Sequence, residues 1–154
     1  MTNRQCGKLN LGGYEFQVKD CDSTKLYIFD NDEDIDEERD FTTKTISMDV
    51  CFEKGQFGNE EASPKLVINE IPTGKADIRD TIGIEFEVGS VEESIEREDT
   101  LYVFEHEPLI NYKLKIIGIE DGLMHLKISG TAVTDGYSTP VQTAGFDGEF
   151  RLHI

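Results

Sequence analysis

One acidic stretch of the chain has the residue types to bind a metal ion or a basic surface. Residues 30–40 read DNDEDIDEERD, and the first, third and fifth positions are aspartates, as at the start of a calcium-binding loop. The pattern then fails, because Ile35 stands where such a loop needs glycine and Phe41 stands where it needs a bidentate glutamate. We therefore predict a solvated acidic loop without a metal, and an irregular calcium site stays open as the alternative.

The three histidines, His106, His125 and His153, are the other candidates for metal binding. Zinc is held by histidine, cysteine and carboxylate ligands, and neighbouring strands could bring two of these histidines beside Glu105 or Glu107. No histidine has the short spacing to another histidine that helps to identify such sites. We therefore expect surface histidines, and we predict neither a metal nor a cofactor.

Familiar catalytic motifs are absent from the sequence. The chain has no Gly-x-Ser-x-Gly nucleophile elbow and no Gly-x-Gly-x-x-Gly dinucleotide fingerprint. Gly74 and Lys75 are followed by Ala76, where a phosphate-binding loop needs serine or threonine. Paired carboxylates carry little information in a chain this acidic. We predict no catalytic residue, and an enzyme with an unrecognised site stays open as an alternative.

Two glycine-containing loops each place an aromatic residue where it could anchor a partner. Phe57 lies between Gly55 and Gly58, and Tyr137 follows Gly136 in the sequence TDGYSTP. Aromatic side chains on loops often supply the buried anchors of protein interfaces. The alternative is that each ring folds back over an open end of the core, since burying aromatic area is itself stabilising.

The chain has three cysteines, Cys6, Cys21 and Cys51. Cys6 and Cys21 could pair in an oxidising compartment, but a chain of this length does not need a disulfide to fold. Cys21 is flanked by Asp20 and Asp22, and neighbouring negative charge disfavours a thiolate, so we expect Cys21 to be a poor nucleophile. Reduced, structural thiols are the expected state.

The net charge of −17 limits the partners that the chain can bind. There are 32 Asp and Glu residues against 15 Lys and Arg residues in a chain of 154. Nucleic acids and anionic membranes are bound through clusters of lysine and arginine, so we expect neither as a partner. A negative surface accelerates encounters with a basic protein. Solubility, or a salt-adapted source, would explain the same charge without any partner.

Apolar and polar residues alternate along most of the chain, which is the pattern of half-buried β-strands. The Asp-Gly pair at residues 121–122 predicts a tight hairpin turn. Residues 90–99 depart from the alternation, and Ser90 with Glu93 three positions later predicts a short capped helix. We predict one all-β domain over residues 1–154, an antiparallel β-sandwich or flattened barrel of about eight or nine strands.

The same alternation predicts which side chains form the core. Apolar residues at every second position of a strand share one face, and that face packs inward. The predicted core residues are Ile46, Met48, Val50, Ile82, Ile84, Phe86, Leu114, Ile116, Leu126, Ile128, Phe150 and Leu152.

Charge, loops and the absence of catalytic motifs together predict a non-catalytic acidic protein-binding module. Such a module could be a stoichiometric inhibitor or an immunity-type protein that covers a basic partner. The alternative is a small-ligand carrier with a lipocalin-like barrel cavity, and the oligomeric state stays open. The predicted partner-binding residues are Asp30, Asp32, Glu33, Asp34, Asp36, Glu37, Glu38, Asp40, Phe57 and Tyr137.

Targeting signals are also missing from the sequence. Residues 1–13 contain no apolar run of the kind found in signal peptides. No stretch approaches the roughly 18 consecutive apolar residues of a membrane-spanning helix. If Met1 is the native start, we predict a cytoplasmic protein.

Overall fold

Antiparallel strands dominate the computed structural model, which describes residues 4–31 and 42–154. The strands are β1 (Cys6–Leu11), β2 (Tyr14–Gln17), β3 (Lys25–Asp30), β4 (Lys44–Cys51), β5 (Gly55–Phe57), β6 (Glu60–Ala62), β7 (Lys65–Pro72), β8 (Glu85–Val88), β9 (Thr100–Tyr102), β10 (His106–Glu120), β11 (Leu123–Asp135) and β12 (Gln142–His153). One short helix, α1 (Val91–Arg97), precedes β9, and a 3-10 turn (Ile78–Thr81) precedes β8. The predicted all-β fold is confirmed.

The main sheet curls so that its two ends approach each other. Its strand order is β2-β1-β12-β11-β10-β9-β7-β4-β3. Strand β8 also pairs with β10 but is not part of this order. The long strand β10 pairs with β9 through its first residues and with β8 further along, so it belongs to both halves of the sheet. An isolated bridge between Val18 and Phe52 then links the end of β2 to the end of β4. The result is a flattened half-barrel around one core.

Two local predictions from the sequence are confirmed. Asp121 and Gly122 have φ angles of 54° and 77° and join β10 to β11, since two positive φ values give the turn whose twist matches the strands. Helix α1 begins after Ser90, whose hydroxyl oxygen accepts a hydrogen bond from the Glu93 amide at 3.2 Å. The helix packs on β10 and β7 and so fixes the chain that leads into β9.

The predicted core is correct except around β8. Every predicted core residue in β4, β10, β11 and β12 is buried. Ile82 is 44% exposed, and Ile84 and Phe86 are only partly buried, so the prediction was wrong for Ile82 and too strong for its two neighbours. The reason is local, because the 3-10 turn occupies residues 78–81 and β8 begins only at Glu85 as a short strand beside β10.

Candidate functional site

The two loop aromatics that the sequence singled out line one surface cleft, which we call the aromatic–acidic cleft. Phe57 stands on one wall and Tyr137 on another, although they belong to loops far apart in the sequence. The cavity has a volume of about 320 Å³. Its lining residues are Phe57, Glu60, Phe104, Glu105, Glu107, Thr134, Asp135, Gly136, Tyr137 and Gln142.

The Phe57 wall is supported by the small hairpin of β5 and β6. The Phe57 ring meets Tyr14 edge-on at a centroid distance of 5.2 Å and Phe104 at 6.0 Å, and it packs partly against the core. Phe57 therefore does both things that the sequence left open, since it covers one end of the core and also faces the cleft. A ring held by two other rings offers a rigid contact surface.

The Tyr137 wall is a hydrogen-bonded turn between β11 and β12. One carboxylate oxygen of Asp135 accepts hydrogen bonds from the amides of Tyr137 and Ser138 at 3.0 and 3.2 Å. The Ser138 hydroxyl donates to the Pro140 carbonyl at 2.8 Å. Tyr137 is nevertheless 81% exposed, so its backbone is fixed while its ring remains accessible. This arrangement is the opposite of an aromatic folded over the core.

Four carboxylates line the cleft, and none of them has a cationic partner among residues 4–31 and 42–154. Glu60, Glu105, Glu107 and Asp135 form no ion pair within 4.0 Å in the described part of the chain, and no lysine, arginine or histidine is among the lining residues. Unpaired carboxylates beside accessible rings can hold a positively charged group by charge and by cation–π attraction together.

Glycine at position 136 makes room for one of these carboxylates. A Cβ atom added to Gly136 would lie 2.3 Å from Oε1 of Glu107, which is far inside contact distance. The Glu107 carboxylate therefore rests directly against the backbone of the loop that carries Tyr137. This contact couples the position of one cleft carboxylate to the position of the exposed ring.

Of the predicted partner-binding residues in the acidic stretch, Asp30 lies within the described residues. Asp30 ends β3 and is paired with Lys44, whose Nζ lies 2.5 Å from its carboxylate. The hydrogen bond and the positive charge of Lys44 hold the pKa of Asp30 below its usual range. Asp30 is therefore compensated within the protein. The other predicted residues, Asp32, Glu33, Asp34, Asp36, Glu37, Glu38 and Asp40, lie outside the described residues.

A second group of carboxylate and aromatic side chains, the Asp99 network, was not predicted from the sequence. Asp99 is fully buried and accepts hydrogen bonds from the Tyr112 hydroxyl at 2.5 Å, Nε of Arg97 at 2.9 Å and the Asn69 amide at 2.7 Å. Arg97 also donates to the Asn69 carbonyl. These contacts join α1 and β9 to β7 and β10.

Burial has the largest effect on the pKa values of Asp99 and Tyr112 in this network. It raises the pKa of Asp99 above the ordinary value, against the opposing effect of the hydrogen bonds from Tyr112 and Asn69 and of the charge on Arg97. Burial and the neighbouring carboxylate raise the pKa of Tyr112 as well. The Asp99 carboxylate is fully buried and receives hydrogen bonds from three described residues, so we interpret the network as structural.

The histidines are used in separate local contacts. His125 lies 2.6 Å from a carboxylate oxygen of Glu149, and the ring of His106 contacts the Tyr102 ring in a tilted arrangement with a centroid distance of 4.8 Å. Within residues 4–31 and 42–154, no three histidine, cysteine, aspartate or glutamate side chains are grouped so that they could hold a metal ion. The absence of a metal and of a cofactor stays a prediction.

Comparison with known proteins gives no further assignment. No protein-family model, no curated protein and no solved structure matches this chain. In the described residues, no helix is both long enough and apolar enough to cross a lipid bilayer.

Proposed function

We propose that the chain is a non-catalytic binding protein that receives a basic partner protein in the aromatic–acidic cleft. One observation carries this proposal: Phe57 and Tyr137, the candidate anchors from the sequence, line the same cleft as four carboxylates that form no ion pair with any described residue. The chemistry of that cleft complements a lysine or arginine side chain.

A cationic side chain suits the cleft better than a neutral or anionic one. Its alkyl stem would pack on the rings, and its charged end would reach the carboxylates. An anion would meet four like charges. Because the protein has a net charge of −17, a partner that brings positive charge into the cleft would also reduce the repulsion among its negative charges.

A protein partner is favoured over an isolated small cation because the cleft alone supplies little binding energy. A cation–π contact at an exposed site contributes about 0.5–1 kcal/mol, and an exposed ion pair contributes about 0–1 kcal/mol. Specific complexes usually bury about 1,200–2,000 Å² in total. The cleft would therefore act as an anchor inside a larger interface, and the surrounding negative surface would speed association.

Packing of the interior supports surface binding over the carrier alternative. Phe16, Phe52 and Phe150 are among the largest fully buried side chains, and the rings of Phe52 and Phe150 contact each other at 5.7 Å. A lipocalin-like carrier needs open space where these rings lie. We extend the proposal to an inhibitor or immunity-type role, in which the chain covers the basic site of a cytoplasmic partner.

The proposal is tested with peptides that carry a defined cation. A peptide library displayed on phage would be panned against the whole chain, with enrichment counted for arginine and lysine at each position. Enriched peptides would then be titrated against wild type and against Tyr137→Ala. Tyr27→Ala serves as the matched control, because Tyr27 is also an exposed aromatic, at 41%, but does not line the cleft.

We expect enrichment of arginine or lysine and about a tenfold weaker binding of those peptides to Tyr137→Ala, since interface aromatics often contribute more than 1 kcal/mol. Tyr27→Ala should bind as wild type does. Equal binding by both variants, or enrichment of peptides without any cation, would contradict the proposal.

A further inference from the structure

Cys21 and Cys51 meet at the same short segment of the chain, the residues Ser23 and Thr24. The Cys51 thiol donates to the Ser23 carbonyl at 3.7 Å, and the Cys21 sulfur lies 3.9 Å from the Thr24 hydroxyl oxygen. That hydroxyl oxygen also accepts a hydrogen bond from the Cys51 amide at 3.1 Å. Both sulfur atoms are thus within 4 Å of two consecutive residues, although β3 and β4 separate the cysteines in the sequence.

The segment that both thiols contact, Ser23 and Thr24, is held in place by several hydrogen bonds. Thr24 is buried, its hydroxyl donates to the Lys19 carbonyl at 2.7 Å, and its amide donates to the Cys21 carbonyl at 3.1 Å. Lys19 in turn donates its amide to the Cys51 carbonyl at 2.8 Å. The tight turn before β3 is therefore bound to the end of β4 at several points, which keeps the two thiols close.

The surroundings of Cys21 differ from the expectation drawn from its two aspartate neighbours. The Asp20 carboxylate accepts a hydrogen bond from the Gln5 amide side chain at 3.1 Å. Burial acts to raise the pKa of Cys21, but hydrogen bonds from Ser23 and Thr24 and the charge of Lys19 outweigh it and lower the pKa. The pKa of Cys21 is thus lowered and not raised, although two aspartates flank it in the sequence, and its reactivity stays a prediction that the experiment below tests.

Both cysteines are half-buried, but their surroundings differ. Cys21 lines an open cavity of about 440 Å³ together with Gln5, Tyr27 and His153. Cys51 is partly buried, and burial raises the pKa of its thiol. A small oxidant can reach Cys21 through this cavity, and Cys51 is not among the described residues that line it. This is the arrangement of an attacking thiol and a resolving thiol.

We infer that Cys21 and Cys51 form a reversible redox pair, in which Cys21 reacts with a hydroperoxide and Cys51 resolves the product. The Cys21 thiolate attacks one peroxide oxygen, the O–O bond breaks, and hydroxide or alkoxide leaves with the electron pair while the sulfur is oxidised to a sulfenic acid. The Cys51 thiol then attacks that sulfur, the S–O bond breaks, and water leaves as the disulfide forms. A cellular dithiol would reduce the disulfide again.

The disulfide would change how one region of the chain is held. It would crosslink the turn before β3 to the end of β4, and the chain between Cys21 and Cys51 includes the acidic residues 30–40. To form the bond, the Cys51 sulfur would leave the Ser23 carbonyl and turn towards the Cys21 sulfur, since the two sulfur atoms of a disulfide are about 2.05 Å apart.

The inference is tested by oxidising the folded, reduced chain with hydrogen peroxide and mapping the products. Non-reducing proteolysis and mass spectrometry would locate each crosslink, and dimedone would trap sulfenic acids. Cys6→Ser is the matched control, because Cys6 is an exposed thiol on β1. Cys51→Ser removes the resolving thiol but leaves Cys21. The same mapping in urea shows whether the selectivity depends on the fold.

We expect an intramolecular Cys21–Cys51 crosslink in wild type and in Cys6→Ser, and loss of that selectivity in urea. In Cys51→Ser, dimedone should label Cys21 about tenfold more than in wild type, because the sulfenic acid is not resolved. Faster oxidation of Cys6 than of Cys21, or equal dimedone labelling of Cys21 in wild type and Cys51→Ser, would overturn the inference. The wild-type map alone decides it even if a variant does not fold.

Discussion

The Asp99 network and the aromatic–acidic cleft both combine carboxylates with aromatic side chains, but they differ in burial and in charge compensation. Asp99 is fully buried and has three donors, including the guanidinium of Arg97. The cleft carboxylates have no cationic neighbour within the described residues, and the Tyr137 ring beside them is 81% exposed. The same side-chain types are therefore buried and compensated in one region and exposed in the other.

The difference shows how to interpret charge in a strongly acidic protein. A buried carboxylate survives only when hydrogen bonds and a countercharge replace the water that it has lost, so Asp99 reports on stability. An exposed carboxylate is solvated by water and needs no partner in the protein. Its repulsion with neighbouring negative charges can therefore be reduced when a cationic ligand binds. If this distinction is right, changes in the Asp99 network affect folding, and changes in the cleft affect binding.

The largest effect is expected for Asp99→Ala. The substitution leaves Arg97, the Tyr112 hydroxyl and the Asn69 amide without their shared acceptor in a buried site. We expect the free energy of unfolding to fall by about 3–5 kcal/mol, as when one partner of a buried ion pair is removed. Urea denaturation measures this, with Glu96→Ala as the control, since Glu96 is exposed on α1. A loss below about 1 kcal/mol would show that the network is not structural.

Tyr112→Phe should have a smaller effect on stability. The ring stays in the core, where Tyr112 is only 1% exposed, and only the hydrogen bond to Asp99 is lost. Hydrogen bonds to charged groups contribute about 1.5–3 kcal/mol, and we expect a loss in that range. Tyr102→Phe is the matched control, because the Tyr102 hydroxyl has no hydrogen bond to another described residue. Equal stability of the two variants would contradict the role given to the Tyr112 hydroxyl.

Much of the fold was predictable because it depends on neighbouring residues. Alternation indicated the inward faces of β4, β10, β11 and β12, the Asp121-Gly122 pair indicated the hairpin turn, and Ser90 indicated the start of α1. The same reasoning failed at Ile82, because the adjoining 3-10 turn interrupts a strand that periodicity alone would extend. None of the predicted core residues lies in strand β1, because only Leu9 and Leu11 mark its inward face.

The sites were less predictable because they depend on contacts between distant parts of the chain. Composition could nominate Phe57 and Tyr137 as loop aromatics, but their shared cleft follows from strand order and from the β5–β6 hairpin. Asp99 lies in a segment full of exposed acidic residues, and its burial depends on Tyr112 from β10 and Asn69 from β7. No local pattern separates Asp99 from its neighbours.

The exposed pair of His125 and Glu149 offers an intermediate case, a compensated carboxylate at the surface. The hydrogen bond from His125 is the main reason why the pKa of Glu149 is lowered, and Lys127 contributes more weakly through its charge. Because the pKa of Glu149 is lower in the folded state, its ionised form stabilises the fold at pH values above the pKa of an ordinary glutamate. This contribution is lost as the pH falls through the pKa of the folded state.

His125→Ala should therefore raise the pKa of Glu149 towards its ordinary value, with little change in stability at neutral pH. Titration of the Glu149 carboxyl carbon by NMR measures this directly. Lys127→Gln is the control and should move the pKa less, since Lys127 acts without a hydrogen bond. A larger shift in Lys127→Gln than in His125→Ala would show that charge, and not the hydrogen bond, controls this site.

The smallest effect on stability is expected in the cleft itself, where binding should change most. We consider the triple variant Glu60→Gln, Glu105→Gln and Glu107→Gln, which keeps side-chain size and removes three negative charges. Because these carboxylates have no ion pair to lose within the described chain, the free energy of unfolding should stay within about 0.5 kcal/mol of wild type. Urea denaturation measures this in the same way as for Asp99→Ala.

Binding of the arginine- or lysine-containing peptides should respond differently. For the cleft variant, we expect slower association and a weaker dependence of the association rate on salt concentration. The reason is that fewer carboxylates attract the cationic peptide, so salt has less attraction to screen. A second triple variant, Glu92→Gln, Glu96→Gln and Glu120→Gln, loses the same net charge at exposed positions away from the cleft. If both variants slow association equally, then net charge alone attracts the peptide, and the cleft has no specific role. A slower rate confined to the cleft variant, at unchanged stability, would separate the binding carboxylates from the structural one at Asp99.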